Sequence, residues 1–301
     1  MPENPSRPGR RFDSLVHATR DGRWTTGRHD ASFARLIAEL DRASVDRACL
    51  VGLPGVVDNE FVLECAEASS GRLVPVAGVD PAEAASVDDV TARVAAFARS
   101  GFAGIKLHPR LNGFDPLDER SIAAIAAADA NGLVVFLDTL FRQRVRATRN
   151  AADTIDALSH ECPSAAIVLL HGGGPALLEV AEVVRARPSL VLDLSFTALY
   201  YRGSSVERDV CWALERLDQR VVIGSDMPEY TPSEAFDHLE RIAGALTLEK
   251  WANIAYRNLD RLFPVRADAA ATGAGRPSGR SAIATDHEAR PGGRALPIRP
   301  R

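Results

Sequence analysis

The 301-residue chain contains no apolar run approaching the ~20 residues that span a bilayer. Its first stretch, MPENPSRPGRRFDS, has no apolar segment of the secretory type, so a cytoplasmic protein without membrane contact is expected. Cysteine is scarce: Cys49, Cys65, Cys162 and Cys211 lie far apart and form no Cys-x-x-Cys pair. That spacing argues against zinc-ribbon and redox motifs and predicts buried, reduced thiols. Neither sign of charge dominates, with 36 Lys and Arg against 40 Asp and Glu, so nothing favours a nucleic-acid partner. Aromatics make up 6% of the chain and stop at Phe263. Residues 265–301 are mostly Ala, Gly, Pro, Ser and Arg and predict a disordered tail; residues 1–10, rich in Pro, Arg and Asn, predict a flexible arm. A Gly-x-Gly-x-x-Gly turn after the first strand is also missing, which counts against a doubly wound dinucleotide fold.

Between these ends an alternating rhythm runs from 11 to 264. Short apolar, β-branched runs read as strands at 12–17 (FDSLVH), 47–53 (RACLVGL), 73–79 (LVPVAGV), 104–107 (GIKL), 133–137 (LVVFL), 166–170 (AIVLL), 190–194 (LVLDL) and 221–223 (VVI). Helical periodicity separates them: Phe33, Leu36, Ile37 and Leu40 recur on one face, as do Val90, Val94, Phe97 and Ala98. Helices are also expected at 233–244 and 248–263. Strands that are apolar almost throughout predict a parallel sheet buried on both faces. Eight of them alternating with helices in one domain predict a single (β/α)8 barrel, with an open doubly wound sheet as the alternative.

The residues that end the strands carry the functional signal. In order they are His17, Asp80, Lys106 with His108, Asp138, His171, Asp193 and Asp226. Polar strand ends are expected in any barrel, but imidazoles and carboxylates at most of them are the groups that bind metals, activate water and move protons. Asp226 stands out: the run VVIGSDMPE delivers a carboxylate to the end of a buried strand with Pro228 as breaker. Asp80 before Pro81 reads as a turn former, and Asp193 as an acid that orients an imidazole. His29, His160, His238 and His287 are expected at solvated positions. Tyr200, Tyr201 and Arg202 read either as pocket wall or as helix-entry packing.

Seven segments in order, FDSLVH, ASVDRACLVGLPG, GRLVPVAGVDP, GFAGIKLHPRLNGFDPLD, IVLLHGGGP, VVIGSDMP and NLDRLF, resemble the amidohydrolase superfamily over residues 11–263. The resemblance is to its amidohydrolase-related branch of TIM-barrel metal-dependent hydrolases and decarboxylases. It implies one or two divalent ions, held by a His-x-His after strand one, a His after strand five, a His after strand six and an Asp after strand eight. The Asp takes a proton from water. His17, His171 and Asp226 match this pattern, whereas Leu15 replaces the first His of the pair and Asp138 stands where the strand-five His is expected.

Two consequences stay open. His17, Asp138, His171 and Asp226 could hold one Zn²⁺, Mn²⁺ or Fe²⁺, or the site works without a metal, as lactonases of the wider superfamily do. Lys106 matches a position that is carbamylated in binuclear members, but with Leu15 in place Lys106, His108 and Arg110 read better as a cationic rim for a substrate carboxylate, or else as solvated salt bridges. The implied function is a hydrolase attacking an ester, lactone or amide carbonyl of a small carboxylated molecule, with Asp226 as base and His171 polarising the carbonyl. The alternatives are a decarboxylase of the same branch and a barrel that binds a ligand or partner without turnover. A homo-oligomer is compatible with all three.

Overall fold

Successive side chains along a strand face opposite ways, and the apolar residues of this chain divide accordingly into two layers. Phe12, Leu15, Cys49, Val51, Val74, Val76, Val134, Phe136, Val168, Leu170 and Val222 pack on one another inside the barrel. Their neighbours, among them Ala48, Leu50, Val135, Leu137, Ile167 and Leu169, face the surrounding helices. The computed structural model that shows this describes residues 9–141, 150–244 and 246–264. The expected tail, 265–301, and all of the expected arm before residue 9 lie outside the described residues.

The strands are β1 (Phe12–Val16), β2 (Arg47–Val51), β3 (Leu73–Val79), β4 (Gly104–Leu107), β5 (Val134–Asp138), β6 (Ile167–Leu170), β7 (Leu190–Asp193) and β8 (Val221–Val222). They form one eight-stranded sheet in sequence order, and each consecutive pair is parallel. The sheet closes on itself where Ser14 N donates to Ile223 O (3.0 Å), Asp226 N to Leu15 O (2.9 Å) and His17 N to Met227 O (2.8 Å). The fold is therefore the (β/α)8 barrel expected from the strand–helix rhythm. Helices begin where the sequence supplies a capping oxygen: Ser32, Asp58, Ser86, Asp118, Asn150, Ser204 and Thr231 each accept from a backbone N–H of the first turn.

One end of the barrel is sealed. Leu259 and Phe263 join the inner core; the Phe263 ring stacks on Phe136 at 6.0 Å and lies 6.4 Å from Phe12. Phe12 begins β1, so this plug closes the end where the strands start. The opposite end, where barrels of this type keep their chemistry, stays open.

Three expectations need correction. The helix expected over 248–263 is broken into Leu248–Ala252, a π-helical turn Asn253–Arg257 and Asn258–Leu262. Strand β8 spans only Val221–Val222, short of the expected Ile223, and Gly224 beyond it lies tight against β1: a Cβ there would lie 2.8 Å from Leu15 N and 2.9 Å from Asp13 Oδ1. His238 is buried rather than solvated, on the inner face of helix Pro232–Ile242 beside Glu207 and Arg241. All four cysteines are free thiols. No helix among the described residues is long and apolar enough to cross a membrane.

Candidate active site

The inward phase of the strands continues past the apolar core into polar residues. Leu15 leads to His17, Gly104 to Lys106 and His108, Phe136 to Asp138, and Val222 through Gly224 to Asp226. Strand β6 breaks the rule, because Val168 and Leu170 already point inward and the next residue should face out. His171 instead adopts a left-handed backbone (φ 64°), followed by Gly172, Gly173 and Gly174 at φ 54°, 75° and 58°. This turn, pinned by Gly173 N donating to Thr139 Oγ1 at 2.7 Å, carries the imidazole back into the mouth.

Proton positions follow from the partners of each imidazole. His17 Nδ1 lies 2.6 Å from the Val51 carbonyl and so carries hydrogen, which leaves a lone pair on Nε2. That lone pair faces Lys106 Nζ at 3.5 Å. Burial, reinforced by Lys106, holds the His17 pKa well below its ordinary value. The ring is therefore neutral, and its 3.8 Å approach to Asp226 Oδ1 is not an ion pair. His108 Nδ1 accepts from Leu111 N at 3.3 Å, so its Nε2–H points at Asp138 Oδ2, 3.2 Å away. Burial, only partly offset by Asp138, takes His108 down to about 3, and it too is neutral.

His171 differs. Its Nδ1 lies 3.2 Å from the Ser195 carbonyl and its Nε2 3.4 Å from Asp138 Oδ2, and both oxygens only accept. Both nitrogens therefore carry protons. Burial opposes the charge, but Asp138 and Asp226 outweigh it and raise the His171 pKa above its ordinary value. Asp138 is the counterpart: burial favours its neutral form, yet His108, His171 and Arg110 hold its pKa well below the usual carboxylate range. Arg110 reaches Asp138 Oδ2 at 3.4 Å from a position 40% exposed at the rim. Burial raises the Asp226 pKa against the opposing charges of His171 and Lys106, and burial lowers that of Lys106 against Asp226 and Asp138.

Two further carboxylates brace the site from beneath. Asp193 accepts from Ser14 Oγ, from Ser195 N (3.0 Å) and Oγ, and from His171 N (3.2 Å), tying β1 and the ends of β6 and β7 together. Asp13 Oδ1 accepts from Leu15 N at 3.1 Å and Ser225 N at 3.0 Å, joining β1 to the residue before Asp226. Its Oδ2 is buried without a hydrogen-bond partner among the described residues, and burial pushes this carboxyl up to about 7.

These groups line a pocket of about 500 Å³. His17, Lys106, His171 and Asp226 form its depth, Arg110 and Glu229 its rim, and Trp24, Leu53, Leu140 and Phe196 its apolar walls. Trp24 stacks on His17 at 5.3 Å and donates Nε1–H to Glu229 Oε1 at 2.6 Å. Phe196 stands edge-on to His171 at 5.7 Å and stacks on Tyr200 at 4.8 Å.

Of the candidates from the sequence, His17, Lys106, His108, Arg110, His171 and Asp226 line this pocket; Asp138 lies fully buried behind it, holding His108 and His171, and Asp193 lies beneath it. Lys106 is at the floor, 2% exposed, rather than at a rim. Asp13, Ser14, Ser195, Trp24, Phe196 and Glu229 escaped the sequence reading. Only Asp13 and Glu229 offered a signal, as acids inside FDSLVH and VVIGSDMPE; the others come from loops or small residues without a pattern. Asp80 caps a turn away from the pocket, accepting from Ala82 N at 2.9 Å.

The expected metal set of His17, Asp138, His171 and Asp226 is not met by this geometry. The His17 lone pair faces an ammonium, Asp138 Oδ2 already accepts from three donors, and an ion at His171 would have to displace the Nε2 proton that Asp138 and Asp226 favour. Leu15 is fully buried in the apolar core. Among the described residues no three His, Cys, Asp or Glu side chains are placed to share an ion. The donor set does not fit a divalent metal.

Comparison with known proteins supports the fold and the family. A family model described as Amidohydrolase matches residues 8–265. No curated protein sequence matches the chain. Among solved structures, a TIM-barrel protein from Bordetella bronchiseptica is 19% identical with a TM-score of 0.70, over 84% of this chain and 98% of that one. A probable 2-pyrone-4,6-dicarboxylic acid hydrolase from Acinetobacter baumannii, with citric acid bound, is 16% identical with a TM-score of 0.62, over 84% and 98%. A 5-carboxyvanillate decarboxylase from Novosphingobium aromaticivorans, complexed with manganese, is 14% identical with a TM-score of 0.64, over 86% and 97%. At these identities the structural likeness shows the barrel alone. The family model spans most of the chain: this protein belongs to the amidohydrolase family.

Proposed function

We propose that the barrel is a hydrolase that adds water to an ester, lactone or amide carbonyl of a small carboxylated molecule. The observation that carries this is the pairing, in one pocket of about 500 Å³, of a carboxylate of raised pKa with an imidazolium and an ammonium. Asp226 accepts a proton from water as the water oxygen bonds to the carbonyl carbon. The oxyanion that forms meets the Nε2–H of His171, which Asp138 holds only loosely at 3.4 Å. When the intermediate collapses, the leaving oxygen or nitrogen takes the proton back from Asp226, and His171 keeps its own. Arg110 at the rim pairs with the substrate carboxylate. His108, neutral and fixed on Asp138, keeps that carboxylate aimed at His171.

Asp226→Asn tests this against a panel of carboxylated lactones, esters and amides. The amide cannot accept the proton, so kcat/KM is expected to fall by about 10²–10⁴ with the melting temperature preserved. Full activity in this variant would sink the mechanism. One observation favours a second chemistry: Trp24 and Phe196 give the pocket wall flat apolar faces suited to an aromatic acid, and the manganese-bound neighbour is a decarboxylase of such an acid. Release of carbon dioxide from aromatic acids on the same panel, in place of hydrolysis, selects that chemistry.

A further inference from the structure

We propose that the Lys106 ammonium stands where other family members place a divalent ion, so that a protein cation rather than a metal supplies the positive charge at the pocket floor. This rests on the hydrolase reading for its purpose, but not for its geometry. The ring nitrogen of His17 that would ligate a metal faces Lys106 Nζ, 3.5 Å away, while Asp226 Oδ1 lies 3.8 Å from it without bonding to it. The ring cannot turn to offer its other nitrogen, because Nδ1–H is bound to the Val51 carbonyl at 2.6 Å and the face is covered by Trp24. A lone pair that accepts from an ammonium is the same lone pair a metal needs.

The rest of the arrangement is consistent with that exchange. The position that would supply a second imidazole is Leu15, and its side chain packs with Val51 and Phe136 in the inner core. Asp138, where a further imidazole is expected, serves as an acceptor for His108, Arg110 and His171, and so neutralises protein cations instead of a bound one. Lys106 itself is 2% exposed, lies on the inward phase of β4 and brings Nζ to 3.5 Å from His17 Nε2 in the pocket that Asp226 also lines. Placing a divalent ion there would set it against the ammonium, with like charges at contact distance and little water between. An ammonium in this place can donate to a substrate carbonyl or carboxylate oxygen with three hydrogens, and needs no deprotonated imidazole pair to hold it.

The test counts metal. The full chain is expressed with Zn²⁺, Mn²⁺ and Fe²⁺ supplied, dialysed, and measured by elemental analysis and thermal melting with and without EDTA or added Zn²⁺ or Mn²⁺. The comparison is the variant Leu15→His/Lys106→Met/Asp138→His, which restores the family's donors and removes the ammonium. The wild type is expected to hold less than about 0.1 ion per chain, with its melting temperature unmoved by chelator or ion. The variant is expected to hold about one ion per chain and to melt higher when the ion is present. Stoichiometric metal in the wild type overturns the proposal, as does equal metal content in the two proteins. Should the variant not fold, the wild-type count decides alone. Metal content does not depend on turnover, so this inference and the Asp226 mechanism fail separately.

Discussion

His171, Phe196 and Asp226 are non-glycine residues with left-handed backbones, at φ 64°, 58° and 59°, and all three line the pocket. Such conformations cost on the order of 1–3 kcal/mol each and persist only where surrounding bonds enforce them. Here those bonds are visible: Asp193 on the His171 N–H, and the Leu15 carbonyl on the Asp226 N–H. The side chains so placed have pKa values that set the pH response. Asp226 must be ionised to accept a proton, so the rate rises with pH through a pKa lying above 3.8. His171 must keep its proton to act as donor, so the rate falls through a pKa lying above 6.5. A bell-shaped profile of kcat/KM is expected, and His171→Ala should remove its alkaline limb; an unchanged limb in that variant assigns it to another group. Lys106→Met should cost about 10² in kcat/KM, with no recovery on adding Zn²⁺ or Mn²⁺. Recovery by metal would contradict the role given to this lysine.

At the scale of the element, the seam between β1 and β8 is the weak point of the barrel and also its functional edge. The register of β1 shifts between Asp13 and Val16, β8 is two residues long, and side-chain oxygens replace part of the missing ladder. Asp13 is the main replacement. Its raised pKa, about 7 against 3.8 unfolded, means the folded state binds this proton more tightly. Its contribution is thus fully present below about pH 4 and is lost as pH rises to about 7, a change of order 4 kcal/mol. Urea melts of Asp13→Asn should lack that decline, because the amide oxygen still accepts from Leu15 N and Ser225 N without ever ionising. Asp13→Ala leaves both N–H groups unpaired and should cost about 1–3 kcal/mol for each at any pH. Equal pH slopes in wild type and Asp13→Asn would place the titration elsewhere. This seam also explains what the sequence could and could not reveal. The strands β2, β3, β5 and β6 are regular, so their apolar runs announce them. FDSLVH is weakly patterned because Asp13 and Ser14 occupy the register shift, and their bonds to residues 193 and 225 join positions about two hundred apart in the chain.

At the scale of the molecule, the barrel has a fixed floor and an open mouth, and the two should respond to mutation independently. Phe263→Ala removes the ring packed on Phe136 and Phe12 and should lower stability by about 3–5 kcal/mol. Its kcat should be near wild type at temperatures where the variant is folded, since the plug lies at the opposite end from Asp226; a large fall in kcat there would mean that the core transmits its packing to the mouth. The family and the barrel were legible from strand ends and spacing, because both depend on residues that repeat along the chain. The electrostatic design of the site was not, because it depends on which nitrogen of each imidazole meets which oxygen. Lys106 could be placed on β4 from the sequence, but only the fold sets its ammonium against His17.

The measurement that bears most directly on the function is turnover of the carboxylated panel in ¹⁸O-labelled water, read by mass spectrometry with carbon dioxide monitored in parallel. Water attack assisted by Asp226 puts one labelled oxygen into the acid product and releases no carbon dioxide, and Asp226→Asn abolishes the labelling. Carbon dioxide without label, or no turnover of any panel member, would contradict a hydrolase at this site.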